Sequence, residues 1–271
     1  MAASMKSTTT GAATAVPRIT AASRVLALGR AELTLLGRSK TALYMGLLMP
    51  AVMVYAMHSA IAGADLGKAG MSVAEVSVTG GFGFILVFAV YQNLVTAYVA
   101  RREELVLKRL RTGEASDLEI LAGTAIPAVL VALAQCVLLV AAGVVWLKLG
   151  MVERPELLLA GLVSGTVLCV LLAGATAAWA KSVEGAGFVT TPMFLITMGG
   201  SGLVAPLEIM PDGLAQFCKL LPLTPAMQLI RGGWLGGVST GDAVQYLVTA
   251  LVWVALGVFA VRRWFRWEPR R

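Results

Sequence analysis

Residues 83–111 read GFILVFAVYQNLVTAYVARREELVLKRLR. The stretch is mostly apolar up to Val99, with two amides, Gln92 and Asn93, near the middle of the apolar part. A helix needs about 20 such residues to cross the hydrocarbon core of a bilayer. From Arg101 onwards the stretch is charged, and leucines are interleaved with basic and acidic residues. The stretch therefore predicts a membrane-spanning helix that ends in a positively charged anchor at one membrane surface.

The composition of the whole chain also indicates a membrane protein. Of its 271 residues, 58% are apolar and 14% are charged, and its mean hydropathy is +0.81. Soluble domains are about 45–50% apolar and about 25% charged. This difference excludes a disordered chain, a disulfide-stabilised secreted scaffold and an ordinary cytosolic enzyme. The three cysteines are an odd number and predict no disulfide framework.

Hydropathy predicts six membrane-spanning helices, so the predicted fold class is an all-α polytopic membrane protein. The predicted spans are 41–63, 73–100, 118–147, 156–180, 185–205 and 241–261. Two of these spans begin with a capping-box pattern, Ser72 with Glu75 and Ser116 with Glu119. The fourth span contains Gly161-x-x-x-Gly165, a spacing that permits close packing between helices.

The distribution of basic residues predicts the orientation of the chain. With both termini in the cytoplasm, seventeen of the 22 lysines and arginines lie inside and five lie outside. Basic residues concentrate on the cytoplasmic side of membrane proteins, where they meet anionic lipid. We therefore expect a multi-pass protein of the plasma membrane with membrane lipid as a partner. The net charge of +7 then needs no nucleic-acid partner, and none is predicted.

The segments before the first span and after the last have different compositions. Residues 1–17 are rich in Ala, Ser and Thr and predict a disordered tail, and residues 262–271 form a basic cytoplasmic tail. Residues 18–40 place most of their larger apolar side chains on one side of a helical wheel and arginines on the other. This pattern predicts an amphipathic helix lying in the inner interface, with a plain basic linker as the alternative.

Two connections between spans differ from simple turns. Residues 101–119 carry leucines among charges, with Glu104 and Lys108 at a favourable i,i+4 spacing, and predict a short cytoplasmic helix suited to a groove on a partner. Residues 206–240 contain four prolines but remain apolar. They predict a broken pair of short helices on the outer side, half sunk in the outer leaflet.

The sequence offers little catalytic chemistry. It contains no Walker A motif, one histidine and no Cys-x-x-Cys, so no nucleotide or metal site is predicted on this chain. A remote alternative is an intramembrane serine protease that uses Ser201 as nucleophile and His58 as base. The order of these residues is the reverse of that in rhomboid-like proteases, and glycines around Ser201 are typical of helix packing.

Three amides lie inside predicted spans, Gln92, Asn93 and Gln135. Polar residues within a membrane are costly and often mark a transport path. They also form hydrogen bonds between helices, worth about 0.6 kcal/mol on average. The sequence leaves both interpretations open. No predicted span centre holds an acid or a lysine, which argues against proton- or sodium-coupled transport.

Two segments resemble the membrane permeases of type-2 ABC exporters, most closely the actinobacterial daunorubicin/doxorubicin-type drug-export permeases. Residues 100–123, ARREELVLKRLRTGEASDLEILAG, are similar to the first cytoplasmic loop of that family. Residues 201–236 are similar to the outer region after its fifth span. The matching positions there are Pro206, Pro211, Pro222, Leu223, Thr224 and Arg231.

The resemblance implies a permease subunit that carries no catalytic residue, no metal and no cofactor. A separate cytosolic ABC ATPase would bind ATP and Mg, and two permease copies would form a dimer. The cytoplasmic helix would be the coupling helix, through Glu103, Glu104, Lys108, Arg109, Leu110 and Arg111. Pro206, Pro211, Pro222, Thr224 and Arg231 would belong to an outer cap, and Gln92, Asn93 and Gln135 are candidates for the path.

The expected cargo is a small amphipathic drug or natural product that leaves the cell. The alternative cargoes are a lipid, a lipid-linked glycan or a peptide, moved by the same architecture.

Overall fold

The structure is a computed structural model that describes residues 26–27, 29–31, 34, 40–63, 66–104 and 117–265. Its described part consists of helices joined by turns and contains no strand, which confirms the all-α fold class. We number the helices in chain order. They are α1 (Lys40–Ile61), α2 (Val73–Glu103), α3 (Asp117–Val145), α4 (Pro155–Ala177), α5 (Val183–Gly200), α6 (Asp212–Lys219), α7 (Thr224–Leu235) and α8 (Thr240–Trp264).

Four of these helices, α2, α3, α4 and α8, are long and apolar enough to cross a membrane. The helices α1 and α5 are further apolar helices, and α1 includes a shorter apolar stretch at Ala51–Ile61. The protein is therefore a multi-pass membrane protein, while the number of six spans stays a prediction. We call the end of the bundle that carries Glu103 and Val183 the inner end, and the opposite end the outer end.

Helix α2 lies at the centre of the bundle. Within its most apolar window 72% of the residues are buried inside the protein, against 17% for α8. It packs on α1, α3, α4, α5 and α7. Its sequence has apolar side chains on every side, as a helix surrounded by protein requires. The capping box predicted at its start is confirmed, because Ser72 Oγ accepts from Glu75 N–H and the Glu75 carboxylate accepts from Ser72 N–H.

Helices α4 and α7 approach each other closely, at small residues. A Cβ atom on Gly161 would lie 2.7 Å from the Ala226 carbonyl oxygen and 2.8 Å from the Ile230 nitrogen. One on Gly233 would overlap the backbone of Leu158. The predicted role of Gly161 in close packing is thereby confirmed. Helix α7 is consequently held inside the bundle and fixes the outer connection of which it is part.

Three helices contain a feature that favours bending partway along their length. Helix α2 contains a π-helical segment at Ile85–Gln92, where the Asn93 N–H bonds the Phe88 carbonyl five residues back. Helices α3 and α5 contain the interior prolines Pro127 and Pro192. Proline removes a hydrogen bond from the helix, and π segments and prolines are the usual sites of helix bending.

Several predicted features lie outside the described residues: the tail 1–17, Ser116, and the end of the basic tail at 266–271. Of the predicted interfacial helix, six residues between positions 26 and 34 are described, and all six are helical. Gly29 is buried, and a Cβ on it would overlap the Ile126 side chain of α3, so this helical turn packs against α3.

Candidate functional site

The inner end is organised around Arg102, in the last turn of α2. Its side chain is 1% exposed, Nη1 donates to the Ala177 carbonyl at 2.9 Å and Nη2 to the Ala180 carbonyl at 2.5 Å. Ala177 is the last residue of α4. The final carbonyls of a helix have no partner within it and carry a partial negative charge, which a guanidinium neutralises. Arg102 therefore caps the carboxyl end of α4.

Glu103 has the complementary position at the next helix. Its Oε1 accepts from the backbone N–H of Val183 at 3.3 Å, and Val183 is the first residue of α5. Ser182 caps the same end, since its Oγ accepts from Gly185 N–H. A carboxylate is favoured at the partially positive amino end of a helix. Arg102 and Glu103 thus hold the two sides of the α4–α5 turn, residues 178–182.

Glu104 differs from Glu103 although the two are adjacent. Both carboxylates are exposed, but Glu104 forms an ion pair with Arg101 instead of a bond to α5, with an N–O distance of 3.2 Å. Helix α2 ends at Glu103. Residues 101–103 therefore belong to α2 and not to the separate short helix predicted to begin at residue 101. The other predicted coupling residues, Lys108, Arg109, Leu110 and Arg111, lie outside the described residues.

Sequence reasoning treated Arg102 as a charge anchor and missed its buried role. Val95, Tyr98 and Val99 are also buried, at 0–1% exposure. Arg102 comes seven residues after Val95, four after Tyr98 and three after Val99, so it lies on the same side of the helix as these residues. An arginine in register with a buried apolar face was the available signal.

The structure separates the three predicted path residues. Asn93 is exposed and lines a cleft of about 350 Å³ between α2 and α3. Gln135 is 3% exposed, inside the bundle, and Gln92 is half-buried at the end of the π segment. Asn93 is thus the amide that faces an open space.

The cleft extends from Asn93 towards the inner end. Small or apolar side chains form its walls, and the Arg101–Glu104 ion pair lies at its rim. The wall residues are Leu94, Ala97, Ala100, Thr124, Pro127, Ala128 and Val131. The cleft therefore combines apolar walls with a charged rim.

The predicted outer cap contains the short helices α6 and α7, with Pro206 and Pro211 just before a 3-10 turn and α6, and Pro222 between the two helices. Thr224 Oγ1 donates to the Cys218 carbonyl at 2.6 Å and joins them. The residues Thr224–Trp234 of α7 are buried within the protein, and the position of the pair in the outer leaflet stays a prediction. The reason is its close contact with α4, which replaces lipid on that face.

Arg231 is the buried charge of the outer cap. It is 5% exposed, its Nη2 donates to the Gly202 carbonyl at 2.7 Å, and its Nη1 lies 3.9 Å from the Glu208 carboxylate. Burial lowers the pKa of Arg231 from its ordinary value, and the Glu208 charge partly offsets this effect. Arg231 connects α7 to the irregular chain before α6.

The protease alternative receives no support from the geometry. His58 Nδ1 lies 3.4 Å from the Oγ atom of Ser77 in α2, so among the described residues His58 has Ser77 as its hydrogen-bond partner. Ser201 is 2% exposed, and its backbone N–H continues the last turn of α5 by bonding the Thr197 carbonyl. The two residues therefore have separate structural roles.

No curated protein matches the chain. A family match covers most of the chain, residues 23–235 of the 271, and includes α1 to α7 together with both buried arginines. The described region within this match is helical, membrane-spanning and joined by the contacts given above. The chain belongs to the ABC-2 type transporter family, as a membrane permease subunit.

Proposed function

We propose that this chain is the permease of an ATP-driven exporter and that a cytosolic ABC ATPase docks on its coupling segment, residues 105–116. The family supports the permease role. The observation that carries the proposal is the inner end: the chain enters the coupling segment directly from Arg102 and Glu103, which bind the ends of α4 and α5. A partner that moves this segment would move the bundle.

The docking experiment is co-purification of the ATPase with the tagged chain from gently solubilised native membranes. Replacing Lys108, Arg109 and Arg111 together by Ala should abolish recovery of a Walker-motif ATPase. The matched control is Arg262→Ala with Arg263→Ala, two exposed basic residues at the end of α8. Recovery of the ATPase with the triple variant would overturn the docking site, and no ATPase with the unchanged chain would overturn the proposal.

The proposed cargo is an amphipathic drug or natural product that enters through the cleft beside Asn93. The apolar walls and the Arg101–Glu104 rim support a molecule with both characters. Asn93 lies eleven residues before Glu104, or about 16 Å along a helix, roughly half the thickness of the hydrocarbon core. A cargo in the inner leaflet would thus have access along the whole depth of that leaflet.

Cargo classes separate by their effect on ATP hydrolysis in proteoliposomes. A polyketide-like amphipathic drug should stimulate hydrolysis, and Ala128→Trp, which fills the cleft, should remove the stimulation. The control is Ala175→Trp, at a half-buried position of α4 that does not line the cleft. Stimulation by lipid, lipid-linked glycan or peptide instead of the drug would favour the alternative cargo.

We further propose that the permease forms a dimer, with both termini in the cytoplasm of the cell. The basic residues support this orientation. Reaction of an impermeant thiol reagent with single introduced cysteines, at Arg263 or at Asp212, tests it in intact cells. Asp212→Cys should react and Arg263→Cys should not, while Cys136, Cys169 and Cys218 are buried and give little background.

A further inference from the structure

The inner half of α2 is joined to three other helices by side-chain hydrogen bonds. Tyr91 Oη lies 3.1 Å from Thr176 Oγ1 in α4, and Tyr98 Oη donates to the Leu121 carbonyl in α3 at 3.0 Å. Arg102 and Glu103 add the bonds to the ends of α4 and α5. These bonds connect α2 to backbone groups and to one half-buried hydroxyl, and they hold the inner ends of α2, α3, α4 and α5 in one arrangement.

The outer half of α2 is joined to α1 by a weaker contact, since Ser77 Oγ lies 3.4 Å from His58 Nδ1. The outer half instead packs through apolar contacts, among them Phe82 with Trp234 at 5.9 Å between ring centroids. Apolar contacts are not directional and permit small sliding movements more readily than hydrogen bonds with fixed geometry.

The π segment of α2 and the interior prolines of α3 and α5 lie at a similar depth in the bundle. Gln92, the end of the π segment, is eleven residues before Glu103, or roughly 16 Å at 1.5 Å per residue. Pro127 lines the same cleft as Asn93, and Phe194, two residues after Pro192, packs on Phe88 with 5.2 Å between ring centroids. The points at which the three helices bend most easily therefore occur at one level, just above the hydrogen-bonded inner ends.

We propose that the inner ends of α2–α5 form one transmission block, which Arg102 and Glu103 hold to the coupling segment as positioning residues. The proposal rests on the proposed function. ATP-driven movement of the coupling segment turns this block as a unit against the outer half, at the level of the π segment, Pro127 and Pro192. The α4–α5 turn consequently follows the ATPase through the two adjacent side chains of α2.

The pairing of charges explains why these two residues suit the task. The carboxyl end of α4 and the amino end of α5 have opposite partial charges, and adjacent residues of opposite charge meet them. Ala177 and Ala180 accept these bonds through their backbone carbonyls, so a displacement of α2 reaches the chain at and just beyond the end of α4 directly. Charge-assisted bonds of this kind are stronger than neutral ones.

The test measures movement of the α4–α5 turn in the complex of permease and ATPase. Spin labels on cysteines introduced at Lys40, at the start of α1, and at Lys181, in the turn, report one distance across the inner end. Helix α1 serves as the reference because its main contact is with residues 73–84, the outer half of α2, and its contact with α3 is smaller. Vanadate trapping with ATP should shift this distance in the unchanged protein.

Two variants should lose the shift while the ATPase still co-purifies. Arg102→Lys keeps the charge but has one ammonium in place of the fork that reaches two carbonyls. Glu103→Ala removes the acceptor of the Val183 N–H. Glu103→Gln retains an acceptor oxygen and should recover part of the shift, which a loss of docking or folding would not explain.

Glu104→Ala is the matched control. It removes the same charge one residue later, from an exposed position that bonds Arg101 and not α5. It should retain the full shift. Equal shifts in Glu103→Ala, Arg102→Lys and Glu104→Ala, with the ATPase bound in each, would overturn the transmission block and leave the proposed function intact. Failure of the unchanged chain to bind an ATPase would overturn both.

Discussion

The two ends of the bundle each contain a buried arginine, and the two arginines are held differently. Arg102 at the inner end donates to two carbonyls at and just beyond the end of α4. Arg231 in the outer cap donates to the Gly202 carbonyl and lies 3.9 Å from the Glu208 carboxylate. The first joins regular helices, while the second joins a helix to irregular backbone.

The difference shows two ways to stabilise a buried cation. At the inner end the partial negative charge at the carboxyl end of α4 stabilises the arginine. The two hydrogen bonds also fix the position of the arginine relative to that helix. In the outer cap a half-exposed carboxylate contributes part of the stabilisation, at a distance too long for a good hydrogen bond. We therefore expect the inner end to respond more strongly to substitution than the outer cap.

The largest effect is expected for Arg102→Ala. The variant leaves the carbonyls of Ala177 and Ala180 buried and without this donor, at about 1–3 kcal/mol each. The free energy of unfolding should fall by roughly 2–6 kcal/mol, seen as a lower melting temperature of the purified permease in detergent. Arg262→Ala, which removes an exposed charge at the end of α8, is the control. Equal melting temperatures of the two variants would contradict the role of Arg102.

Gly233→Ala is expected to have the next largest effect, because it tests how firmly the outer cap is packed. The added methyl group would overlap the Leu158 backbone and force α7 away from α4. Overpacking of this kind costs about 1–3 kcal/mol. Gly199→Ala is the control, since a Cβ atom added there in α5 would have no neighbouring atom within 4 Å. Thermal unfolding should separate the two, and a stable Gly233→Ala protein would show that the cap is loosely held.

Arg231→Met should cost less than the corresponding change at Arg102. It leaves the Gly202 carbonyl without its donor but also removes a desolvated charge, so we expect a loss of about 1 kcal/mol. Thermal unfolding of Arg231→Met and Arg102→Met compares the two positions directly, because both variants make the same replacement of Arg by Met. A greater loss at Arg231 would reverse the comparison between the two ends.

The smallest effect is expected for Glu208→Gln. The side chain of Glu208 is 43% exposed and its contact with Arg231 is long, so the pair should contribute less than about 1 kcal/mol. The melting temperature of the variant should differ little from that of the unchanged protein, and equally little at low and high salt. A marked, salt-dependent decrease would assign Glu208 a larger share in holding the outer cap.

The sequence was informative wherever the signal is local or periodic. The all-helical fold follows from hydropathy, the start of α2 from Ser72 and Glu75, and the close contact at Gly161 from its spacing to Gly165. These features depend on neighbouring residues along one helix. They are therefore visible without knowledge of the partners of that helix.

The sequence was less informative about contacts between distant segments. The bond from Arg102 to Ala177 connects residues 75 positions apart, and composition describes Arg102 equally well as a surface anchor. The burial of α7 depends on its contact with α4, which its prolines and glycines do not disclose. The π segment at Ile85–Gln92 has no composition of its own that separates it from the α-helix on either side.

The buried position of Arg102 also affects how the protein is made. During synthesis Arg102 leaves the ribosome 75 residues before Ala177, or roughly 4–15 s earlier at about 5–20 residues per second. In the orientation proposed above, its charge has no α4 carbonyl to bind throughout this interval and stays in water on the cytoplasmic side, as basic flanks of membrane helices do. One side chain thus first directs insertion of the nascent chain and afterwards becomes part of the assembled interior, so its replacement should impair topogenesis as well as the finished fold.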